Sequence, residues 1–437
     1  MNDIAAMSGG TVFFRPVKKL EGRTAVPGDK SISHRALFIS AIASGISRIE
    51  HLLVADDTMS TVNCLRMLGV DIEIKDTYAV ITGNGIDGLK EPSDILNAGN
   101  SGTTARIMLG LLSTRDFFSA LTGDESLKTR PMKRIVTPLM AMGASLDGRD
   151  RANLLPLSVR GGKLKGIHYS MPVPSAQVKT GLIMASMGAR GIMTITEPVS
   201  TRDHTERILK ASGVDLKSWD STVQLACAQK PLPLNIAVPG DFSSAAFFIG
   251  AGTIAAHSDI LITNVGVNPG RTGLIDILKS MGASVELLNT RYEAGEPVAD
   301  IHVVHSKLHG ITLDDRKLIV RAIDELPLLA VISAYAHGET VIRNAGELRV
   351  KETDRIKAVV NGLSGIGIKA KDLGDGMLIE GGKVKGGSVS SCGDHRIAMA
   401  FAAASVSSEK EISIDNFDAV SISFPEFINI FNMLRHA

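Results

Sequence analysis

The stretch LRMLGVDIEI at residues 65–74 contains the local pattern that decides the fold. An apolar helical segment runs up to Gly69, and a strand with alternating apolar residues follows it directly. A glycine fits this joint because the residue after a helix commonly needs a positive φ, which glycine adopts without steric cost. The same pattern recurs at intervals of about 70 to 80 residues, in PLMAMGASLD (138–147, Gly143), ILKASGVDLK (208–217, Gly213), ILKSMGASVEL (277–287, Gly282) and NGLSGIGIKA (361–370, Gly365).

A sixth helix of the same kind is predicted at SFPEFINIFNML, residues 423–434. The segment AVPGD occurs at 25–29 and again at 237–241, each time before a serine-containing helix start. Six units of strand and helix, in two sets of three, predict an α/β (α+β) protein with two domains. The expected bounds are 29–239 for the first domain, and 240–437 together with 1–28 for the second. Helix–glycine–strand joints are common in α/β proteins, so a chance repeat is the alternative.

The composition excludes several classes of protein. Of the 437 residues 44% are hydrophobic, and 47 basic residues against 46 acidic ones give a net charge of +1. Nucleic-acid-binding and membrane-binding surfaces need an excess of basic residues, so neither partner is expected. The three cysteines are too far apart for a disulfide framework or a zinc site, and they are typical of a reducing compartment. With no secretion signal in MNDIAAMSGG and no apolar run long enough for a bilayer, we expect a cytoplasmic protein.

Four of the predicted helices begin beside basic residues: Arg130, Arg202, Arg271 and the Lys351–Arg355 stretch. A helix N-terminus carries a partial positive charge, so a cation there is normally unfavourable. An anion bound between the side chain and the backbone N–H groups removes this penalty. Each case alone is more often a solvated charge, but together they indicate a site for ligands rich in phosphate and carboxylate groups.

The segment PGDKSISHRAL (27–37) places Lys30, Ser31 and Arg35 at a strand-to-helix junction. Lys30 offers a mobile ammonium group, and Arg35 offers a guanidinium group that can bind an anion through two N–H groups. The alternative is a solvated lysine beside a serine cap. A nucleotide-binding P-loop is not indicated, because its Gly-x-x-x-x-Gly-Lys pattern is not met.

The segment NAGNSGTTAR (97–106) has glycines that let the backbone approach a ligand, and its Thr103 and Thr104 offer hydroxyl groups at a helix start. An ordinary turn and cap is the equal alternative. In RVKETDRIKAV (349–359), Lys351 and Arg355 are predicted on one helix face, where an anion would offset their repulsion. Glu352 is then near enough to exchange a proton with the ligand, and a solvated Glu352–Arg355 pair is the alternative.

Two acidic positions precede apolar helices. Asp324 and Glu325 in RAIDELPLLAV (321–331) are candidate general bases, because burial raises a carboxyl pKa; a helix cap at Asp324 is the alternative. In CGDHRIAMAFA (392–402), Asp394 is a candidate cap, which leaves Arg396 to face an anion. His395 is interpreted as structural rather than catalytic.

In this order, the segments resemble the enolpyruvyl transferase family. The resemblance covers residues 27 to about 400 and rests on PGDKSISHRAL, GNSGTTAR, TRPMKR, PSAQVKTGL, TRDHTER, DELP, RVKETDR and GDHRIAMA. It implies two domains, each of three βαβαββ units, that close over the substrates. The implied activity transfers the carboxyvinyl group of phosphoenolpyruvate to the 5-hydroxyl of shikimate 3-phosphate and releases phosphate, in chorismate and aromatic amino acid biosynthesis. A monomer with no cofactor and no metal is implied as well.

The resemblance also implies roles for individual residues. Shikimate 3-phosphate would be held by Lys30, Ser31, Arg35, Ser175, Ala176, Gln177, Arg202, Asp324 and Lys351. Phosphoenolpyruvate would be held by Lys30, Gly102, Arg130, Gln177, Arg355 and Arg396. Asp324 would take the proton of the 5-hydroxyl, Glu352 would deliver and later remove the methylene proton, and Lys30 would assist both substrates.

Three positions depart from the pattern of the family. Ile422 stands where a lysine is frequent, Glu347 where an asparagine is frequent, and Ala176 where a second serine is frequent. These departures bear on single contacts and leave the resemblance intact.

Three other functions are weighed against this one. A sister transferase that acts on a UDP-sugar would have a cysteine in the first domain and an Asn-Ala pair after the first lysine, but this chain has Lys30-Ser31 and no cysteine between 65 and 226. A non-catalytic sensor of anionic metabolites would have lost Asp324 or Glu352. An enzyme that modifies RNA ends is disfavoured by the near-neutral charge and the aromatic content of 4%.

Overall fold

Six sheets of four strands form the framework of the protein. The computed structural model describes residues 5–8 and 10–436. Residues 1–4, 9 and 437, on which part of the expectations for the N-terminus and the second domain falls, lie outside the described residues. In every sheet an outer strand is parallel to its neighbour, and the two central strands are antiparallel. The predicted α/β class with repeated strand–helix units is therefore confirmed.

The chain divides into two compact units, which we name by their place in the sequence. The central unit consists of Gly28–Pro239 and Tyr292–Glu296. The terminal unit consists of the described residues up to Pro27, Gly240–Arg291 and the residues from Pro297 onward. Among residues 5–8 and 10–436, no helix has the length and apolar character needed to cross a bilayer.

The central unit contains three sheets, and the first of them takes its outer strand β15 from the end of the unit. In spatial order they are β15 (Asn235–Ala237), β4 (Ser44–Glu50), β6 (Tyr78–Asn84) and β5 (Asp71–Lys75); β7 (Leu96–Asn97), β8 (Phe118–Thr122), β10 (Leu154–Arg160) and β9 (Ser145–Gly148); and β11 (His168–Ser170), β12 (Ile192–Thr196), β14 (Thr222–Ala226) and β13 (Leu216–Trp219).

The terminal unit contains the other three sheets. In spatial order they are β17 (Ser284–Glu293), β18 (Glu296–Val304), β16 (Asp259–Gly266) and β3 (Glu21–Ala25); β19 (Thr312–Leu313), β20 (Glu339–Ile342), β22 (Met377–Glu380) and β21 (Ala370–Asp372); and β1 (Ala5–Ser8), β2 (Thr11–Phe14), β24 (Ile412–Ile414) and β23 (Gly387–Val389).

The helices alternate with these strands. They are α1 (Lys30–Ile42), α2 (Asp56–Met67), α3 (Gly102–Leu112), α4 (Lys133–Met142), α5 (Arg149–Ala152), α6 (Ala176–Ser186), α7 (His204–Ala211), α8 (Phe242–Ile254), α9 (Gly273–Ser280), α10 (Arg316–Ala322), α11 (Leu326–Ile332), α12 (Arg355–Gly365), α13 (His395–Ala404) and α14 (Phe427–His436). Short 3-10 helices lie at Ile86–Gly88, Leu127–Thr129, Ser333–Tyr335, Gly346–Val350, Ser405–Ser407 and Phe417–Ile422.

The glycine joints have one common geometry. Gly69, Gly143, Gly213 and Gly282 have φ values of 83°, 111°, 81° and 97°. The next residue donates its N–H to a leucine carbonyl five positions back, as in Val70 to Leu65 at 3.1 Å. This bond satisfies one of the carbonyl groups that a helix end leaves without a partner.

The prediction for Gly365 is wrong. Gly365 is the last residue of α12, and Gly367 has the positive φ of 87°. Ile368 then donates to the carbonyl of Leu363 at 2.9 Å, which is the spacing found at the other joints. The leucine four residues before the glycine fixes the position of the joint, and in NGLSGIGIKA that leucine selects the second of two candidate glycines.

Apart from the short stretch Tyr292–Glu296, the chain passes from one unit to the other at the two AVPGD segments. Asp29 donates its N–H to the carbonyl of Pro239 at 2.8 Å within the central unit, and Asp241 donates to Pro27 at 2.8 Å within the terminal unit. Gly28 cannot be replaced without a shift of backbone, because a Cβ there would lie 2.0 Å from the carbonyl oxygen of His51.

The two cores differ in composition. In the terminal unit, Phe427 of α14 stacks on Phe248 and Phe431 with ring centroids 5.7 and 5.4 Å apart. Phe431 also meets Phe14 of β2, which ties the predicted sixth helix to the first strands of the chain. In the central unit the buried core is built mainly of aliphatic side chains around Phe38. Both cores give the helix starts a rigid support.

Candidate active site

The start of α1 presents Lys30 beside a carboxylate. Asp29 caps the helix, and its side chain accepts the N–H of Ile32 at 2.9 Å. The Nζ of Lys30 lies 3.0 Å from Oδ2 of Asp57, and the two side chains are 18% and 10% exposed. Asp57 was not predicted from the sequence. The signal was its place in the first turn of α2, where an acidic residue is favourable.

Arg35 is buried beneath this helix start. Its Nε donates to Oγ1 of Thr205 at 2.7 Å, its Nη1 to the carbonyl of Ser31 at 2.8 Å, and its Nη2 to Oγ1 of Thr180 at 2.9 Å. Burial, followed by the charge of Arg202, lowers the pKa of Arg35 to about 10. Because its donors bond to α6 and α7, Arg35 connects three helix starts of the central unit.

The other two helix starts carry predicted residues as well. Ser175 caps α6 and accepts the N–H of Val178 at 3.4 Å, while the carbonyl of Ala176 accepts the hydroxyl of Thr180 at 2.8 Å. Arg202 precedes α7, and its Nη1 donates to Oγ of Ser31 at 3.3 Å. The structure therefore brings Ser31, Arg35, Ala176 and Arg202 together.

The loop before α3 brings a second predicted group together. Ser101 caps the helix and accepts the N–H of Thr104 at 3.1 Å. Arg130 donates to Oδ1 of Asn100 at 2.6 Å and to Oγ of Ser126 at 3.0 Å. A Cβ on Gly102 would lie 3.7 Å from Nη1 of Arg130, so the bare backbone lies against the guanidinium group.

Gln177 joins this loop to α6 through a residue that was not predicted. Its Nε2 donates to Oγ1 of Thr103 at 3.0 Å, and its Oε1 accepts from Nη1 of Arg106 at 2.8 Å. Arg106 is the last residue of GNSGTTAR and lies one turn after Gly102 on α3. That spacing is the signal from which Arg106 could have been identified.

In the terminal unit, Asp324 lies among three cations. Its carboxylate oxygens are 3.8 Å from Nζ of Lys351, 4.0 Å from Nη1 of Arg355 and 3.9 Å from Nη2 of Arg396. Arg396 also donates to the Asp324 carbonyl at 3.0 Å. The alternative of a helix cap at Asp324 does not hold, because Glu325 occupies the cap position of α11.

The predicted helix face of Lys351 and Arg355 is wrong. Helix α12 begins at Arg355, and the backbone of Lys351 is extended, with φ −85° and ψ −152°. Asp354 caps the helix by accepting the N–H of Lys357 at 3.1 Å, which fixes the start of the helix after Glu352. Both cations nevertheless lie beside Asp324: extended backbone places Lys351 there, and Arg355 reaches it from the first residue of α12.

Arg355 is 1% exposed and has two carboxylate partners besides Asp324. Its Nε donates to Oδ2 of Asp394 at 2.7 Å, and its Nη2 lies 2.5 Å from Oε2 of Glu352. Burial alone would lower the pKa of Arg355, but Asp394 and then Glu352 outweigh burial and raise it. The pair with Glu352 exists, and on the arginine side it is buried rather than solvated.

At two predicted helix starts in the terminal unit, donor groups bond to carboxylates of the protein itself. Arg271 is 3% exposed and donates to Oδ1 of Asp241 at 2.9 Å and to Oγ of Ser243 at 2.7 Å. Asp394 caps α13, as predicted, by accepting the N–H of Arg396 at 2.9 Å. A carboxylate of the protein thus binds Arg271, at a position where the sequence suggested a bound ligand anion.

Glu325 and His395 are both buried. Glu325 accepts from Ser243 and lies 3.4 Å from Nη1 of Arg396. Burial raises the pKa of Glu325, although Arg271 and Arg396 oppose this. His395 is the first residue of α13 and is 3% exposed. Within the described part of the chain, no three His, Cys, Asp or Glu residues are arranged to hold a metal ion.

The repeated sheets and the cation-rich helix starts define the class of the protein. The fold is that of the enolpyruvyl transferases, as in the crystal structure of the enolpyruvyl transferase NikO from Streptomyces tendae, with a TM-score of 0.77 over 98% of both chains and 16% identity. The chain belongs to the EPSP synthase family, described as EPSP synthase (3-phosphoshikimate 1-carboxyvinyltransferase), whose model matches residues 14–431.

Individual relatives agree with this family. The chain is 49% identical over 412 residues to a 3-phosphoshikimate 1-carboxyvinyltransferase of Brevibacillus brevis, which covers 94% of this chain and 96% of the relative. It superposes on the EPSP synthase of Acinetobacter baumannii with a TM-score of 0.87 and 42% identity, over 97% of this chain and 98% of the other.

Proposed function

We propose that this protein transfers the carboxyvinyl group of phosphoenolpyruvate to the 5-hydroxyl of shikimate 3-phosphate and releases phosphate. The reaction is a step in the biosynthesis of chorismate and the aromatic amino acids. The proposal rests on membership of the EPSP synthase family together with one observation: the Asp324 carboxylate has Lys351, Arg355 and Arg396 within 4.0 Å. A base held among cations suits a reaction between two polyanions.

Shikimate 3-phosphate is held by side chains at three helix starts of the central unit. Ser31 and Arg202 offer a hydroxyl and a guanidinium group 3.3 Å apart, which suits a phosphate. Ser175, Ala176 and Gln177 contribute the start of α6. Arg35, whose donors already bond to neighbouring helices, holds these groups in position from the buried side. Asp324 and Lys351 serve the 5-hydroxyl.

Phosphoenolpyruvate is held by cations and by close backbone. Arg130, Gly102 and Gln177 lie along one loop and one helix start in the central unit, and Arg355 and Arg396 supply guanidinium groups in the terminal unit. Lys30 serves both substrates. Its ammonium group exchanges Asp57, now 3.0 Å away, for a substrate oxygen.

Two proton transfers carry the chemistry. Glu352 gives a proton to the methylene carbon of phosphoenolpyruvate, and the adjacent carbon becomes cationic. The 5-hydroxyl oxygen bonds to that carbon while Asp324 takes the hydroxyl proton. Glu352 then removes a proton from the new methyl group, the carbon–carbon double bond reforms, and the carbon–oxygen bond to phosphate breaks. Fixed guanidinium groups stabilise the charge on both substrates.

Cellular context follows from the same activity. The protein acts in the cytoplasm as a monomer, with two small-molecule substrates and without a cofactor, a metal, a nucleic acid or a membrane. The near-neutral composition supports this, because a net charge of +1 provides no excess of basic residues for a polyanionic surface.

The test is a phosphate-release assay with purified protein. We expect phosphate only when phosphoenolpyruvate and shikimate 3-phosphate are both present, together with a product that carries the carboxyvinyl group. A UDP-sugar acceptor and a sample without acceptor are the controls. Equal phosphate release in either control contradicts the proposal.

A further inference from the structure

Lys179 is a buried cation in α6 that the mechanism above does not use. It is 2% exposed, and its Nζ lies 2.8 Å from Oε2 of Glu197 and 2.7 Å from Oε1 of Glu206. Both carboxylate side chains are 4% exposed or less. Burial alone would lower the pKa of Lys179, but Glu206 and Glu197 outweigh burial and raise it. The lysine is therefore charged, and it bridges two anions.

One of these anions is connected to the segment that precedes α7. The Oε1 of Glu197 accepts the hydroxyl of Thr201 at 2.5 Å, and its Oε2 accepts the N–H of Thr201 at 3.2 Å. Thr201 directly precedes Arg202, whose Nη1 donates to Oγ of Ser31 at 3.3 Å. A short chain of contacts thus leads from Lys179 to the guanidinium group of Arg202.

The other anion, Glu206, also acts on a second buried cation, Arg35. Glu206 follows Thr205, which accepts from Nε of Arg35 at 2.7 Å. The charge of Glu206 favours the charged form of Arg35, as do the charges of Asp29 and Glu296, while Arg202 opposes it. Buried ion pairs add little or nothing to stability compared with apolar side chains of the same volume. What they provide here is a fixed direction for each partner, since every charge-assisted bond has a preferred geometry.

We propose that Lys179 is a positioning residue for the acceptor substrate. By holding Glu197, it fixes the Glu197–Arg202 segment and keeps Arg202 beside Ser31. The inference rests on the proposed function, which assigns Arg202 and Ser31 to shikimate 3-phosphate. The groups assigned to phosphoenolpyruvate in the central unit have partners outside this chain of contacts. Arg130 contacts Asn100 and Ser126, beside Gly102, and Lys30 pairs with Asp57. Gln177, two residues before Lys179 on α6, contacts Thr103 and Arg106.

The decisive variant is Lys179→Met, which keeps an unbranched side chain, one atom shorter, and removes its charge. We expect the KM for shikimate 3-phosphate to rise about tenfold and the KM for phosphoenolpyruvate to change by less than about twofold. Hydrogen exchange of the free protein gives a second readout. The Thr201 amide, which donates to Glu197, should exchange faster in the variant, and helices outside the central unit should not change.

Three other variants separate positioning from stability. Glu206→Gln leaves the Lys179–Glu197 pair in place, so it should lower stability while both KM values stay near those of the wild type. Thr201→Val removes only the hydroxyl contact to Glu197 and should raise the KM for shikimate 3-phosphate by about threefold. Lys369→Met removes an exposed lysine from its pair with Glu380 and is the matched surface control.

The outcomes decide between the interpretations. A folded Lys179→Met protein with unchanged KM values and unchanged exchange overturns the proposal, and so does an equal rise in both KM values. If Lys179→Met does not fold, Thr201→Val decides by the same two measurements. A wild-type protein that lacks turnover with the two substrates contradicts the proposed function instead, and the exchange experiment still tests whether Lys179 fixes the segment.

Discussion

The Nε of Arg355 donates to Oδ2 of Asp394 at 2.7 Å, and both side chains are fully enclosed, with 1% and 0% exposure. Asp394 also caps α13, so one carboxylate holds both the helix start with Arg396 and the guanidinium group beside Asp324. The ion pair is thus the structural support of the cation cluster in the terminal unit.

Asp394→Asn should therefore lower the free energy of unfolding strongly. Asparagine can still cap the helix, but Arg355 loses a buried anion, and removal of one partner of a buried pair costs about 3–5 kcal/mol. Urea unfolding checks this. The exposed pair of Lys369 and Glu380 is the control, where Glu380→Gln should cost less than about 1 kcal/mol. Equal losses for the two variants would refute the supporting role of Asp394.

Glu352→Gln tests the proton transfer. Glutamine has the same shape but cannot deliver or remove a proton, so kcat should fall by about 10²–10⁴-fold while both KM values stay within a few-fold. Steady-state kinetics with both substrates measures this. Glu339→Gln, at an exposed position of β20, is the matched control and should retain full turnover. If Glu352→Gln turns over at the wild-type rate, Glu352 has no part in the chemistry.

Gly102→Ala tests the close approach of backbone to ligand. The added Cβ would lie 2.6 Å from Nη1 of Arg106, so that guanidinium group must move, and it would be in van der Waals contact with Nη1 of Arg130 at 3.7 Å. We expect the KM for phosphoenolpyruvate to rise about tenfold, a loss of about 1.4 kcal/mol, with little change for shikimate 3-phosphate. Gly162→Ala, where nothing lies within 4 Å of the new Cβ, is the control. A larger effect on shikimate 3-phosphate would contradict the assignment.

The buried side chain of His34 should make the free energy of unfolding depend on pH. Burial, then the charges of Lys30 and Arg35, holds the pKa of His34 well below its ordinary value of 6.5. A depressed folded-state pKa means that the unfolded chain binds more protons as pH falls below 6.5. Stability should therefore fall by up to about 1.4 kcal/mol per pH unit below that value.

The measurement is urea unfolding at several pH values between 5 and 8. His34→Gln should remove this part of the slope, because glutamine does not titrate and can keep a bond to Thr61, now 2.8 Å from the ring. Identical slopes for wild type and His34→Gln would show that His34 does not titrate on unfolding.

Local patterns predicted the repeated joints because each one is decided within ten residues. The glycine must adopt a positive φ, and the leucine four residues earlier must offer its carbonyl group. The prediction of Gly365 is wrong because a glycine alone does not fix the joint, whereas the position of Leu363 does. The same limit applies to Lys351: like charges four residues apart suggest a helix face, but the cap at Asp354 starts the helix later.

Local sequence patterns do not predict contacts between distant parts of the sequence. Lys30 and Asp57 are 27 positions apart, and Arg355 and Asp394 are 39 apart. Such pairs depend on how helices pack, and a single sequence does not specify that. The resemblance to a family supplied the residue set, and the structure supplied the partners: Asp57, Arg106, Glu197 and Asp394.

The order of the strands has a consequence for synthesis on the ribosome. All twelve strands of the central unit lie between residues 44 and 237, so its three sheets have every strand available once that stretch has emerged. The terminal unit differs, because β1 and β2 must wait for β24 at Ile412–Ile414 to complete their sheet. Strands β1 and β2 thus leave the ribosome long before their partner β24, and a chain truncated before β24 would leave an open sheet edge exposed to aggregation.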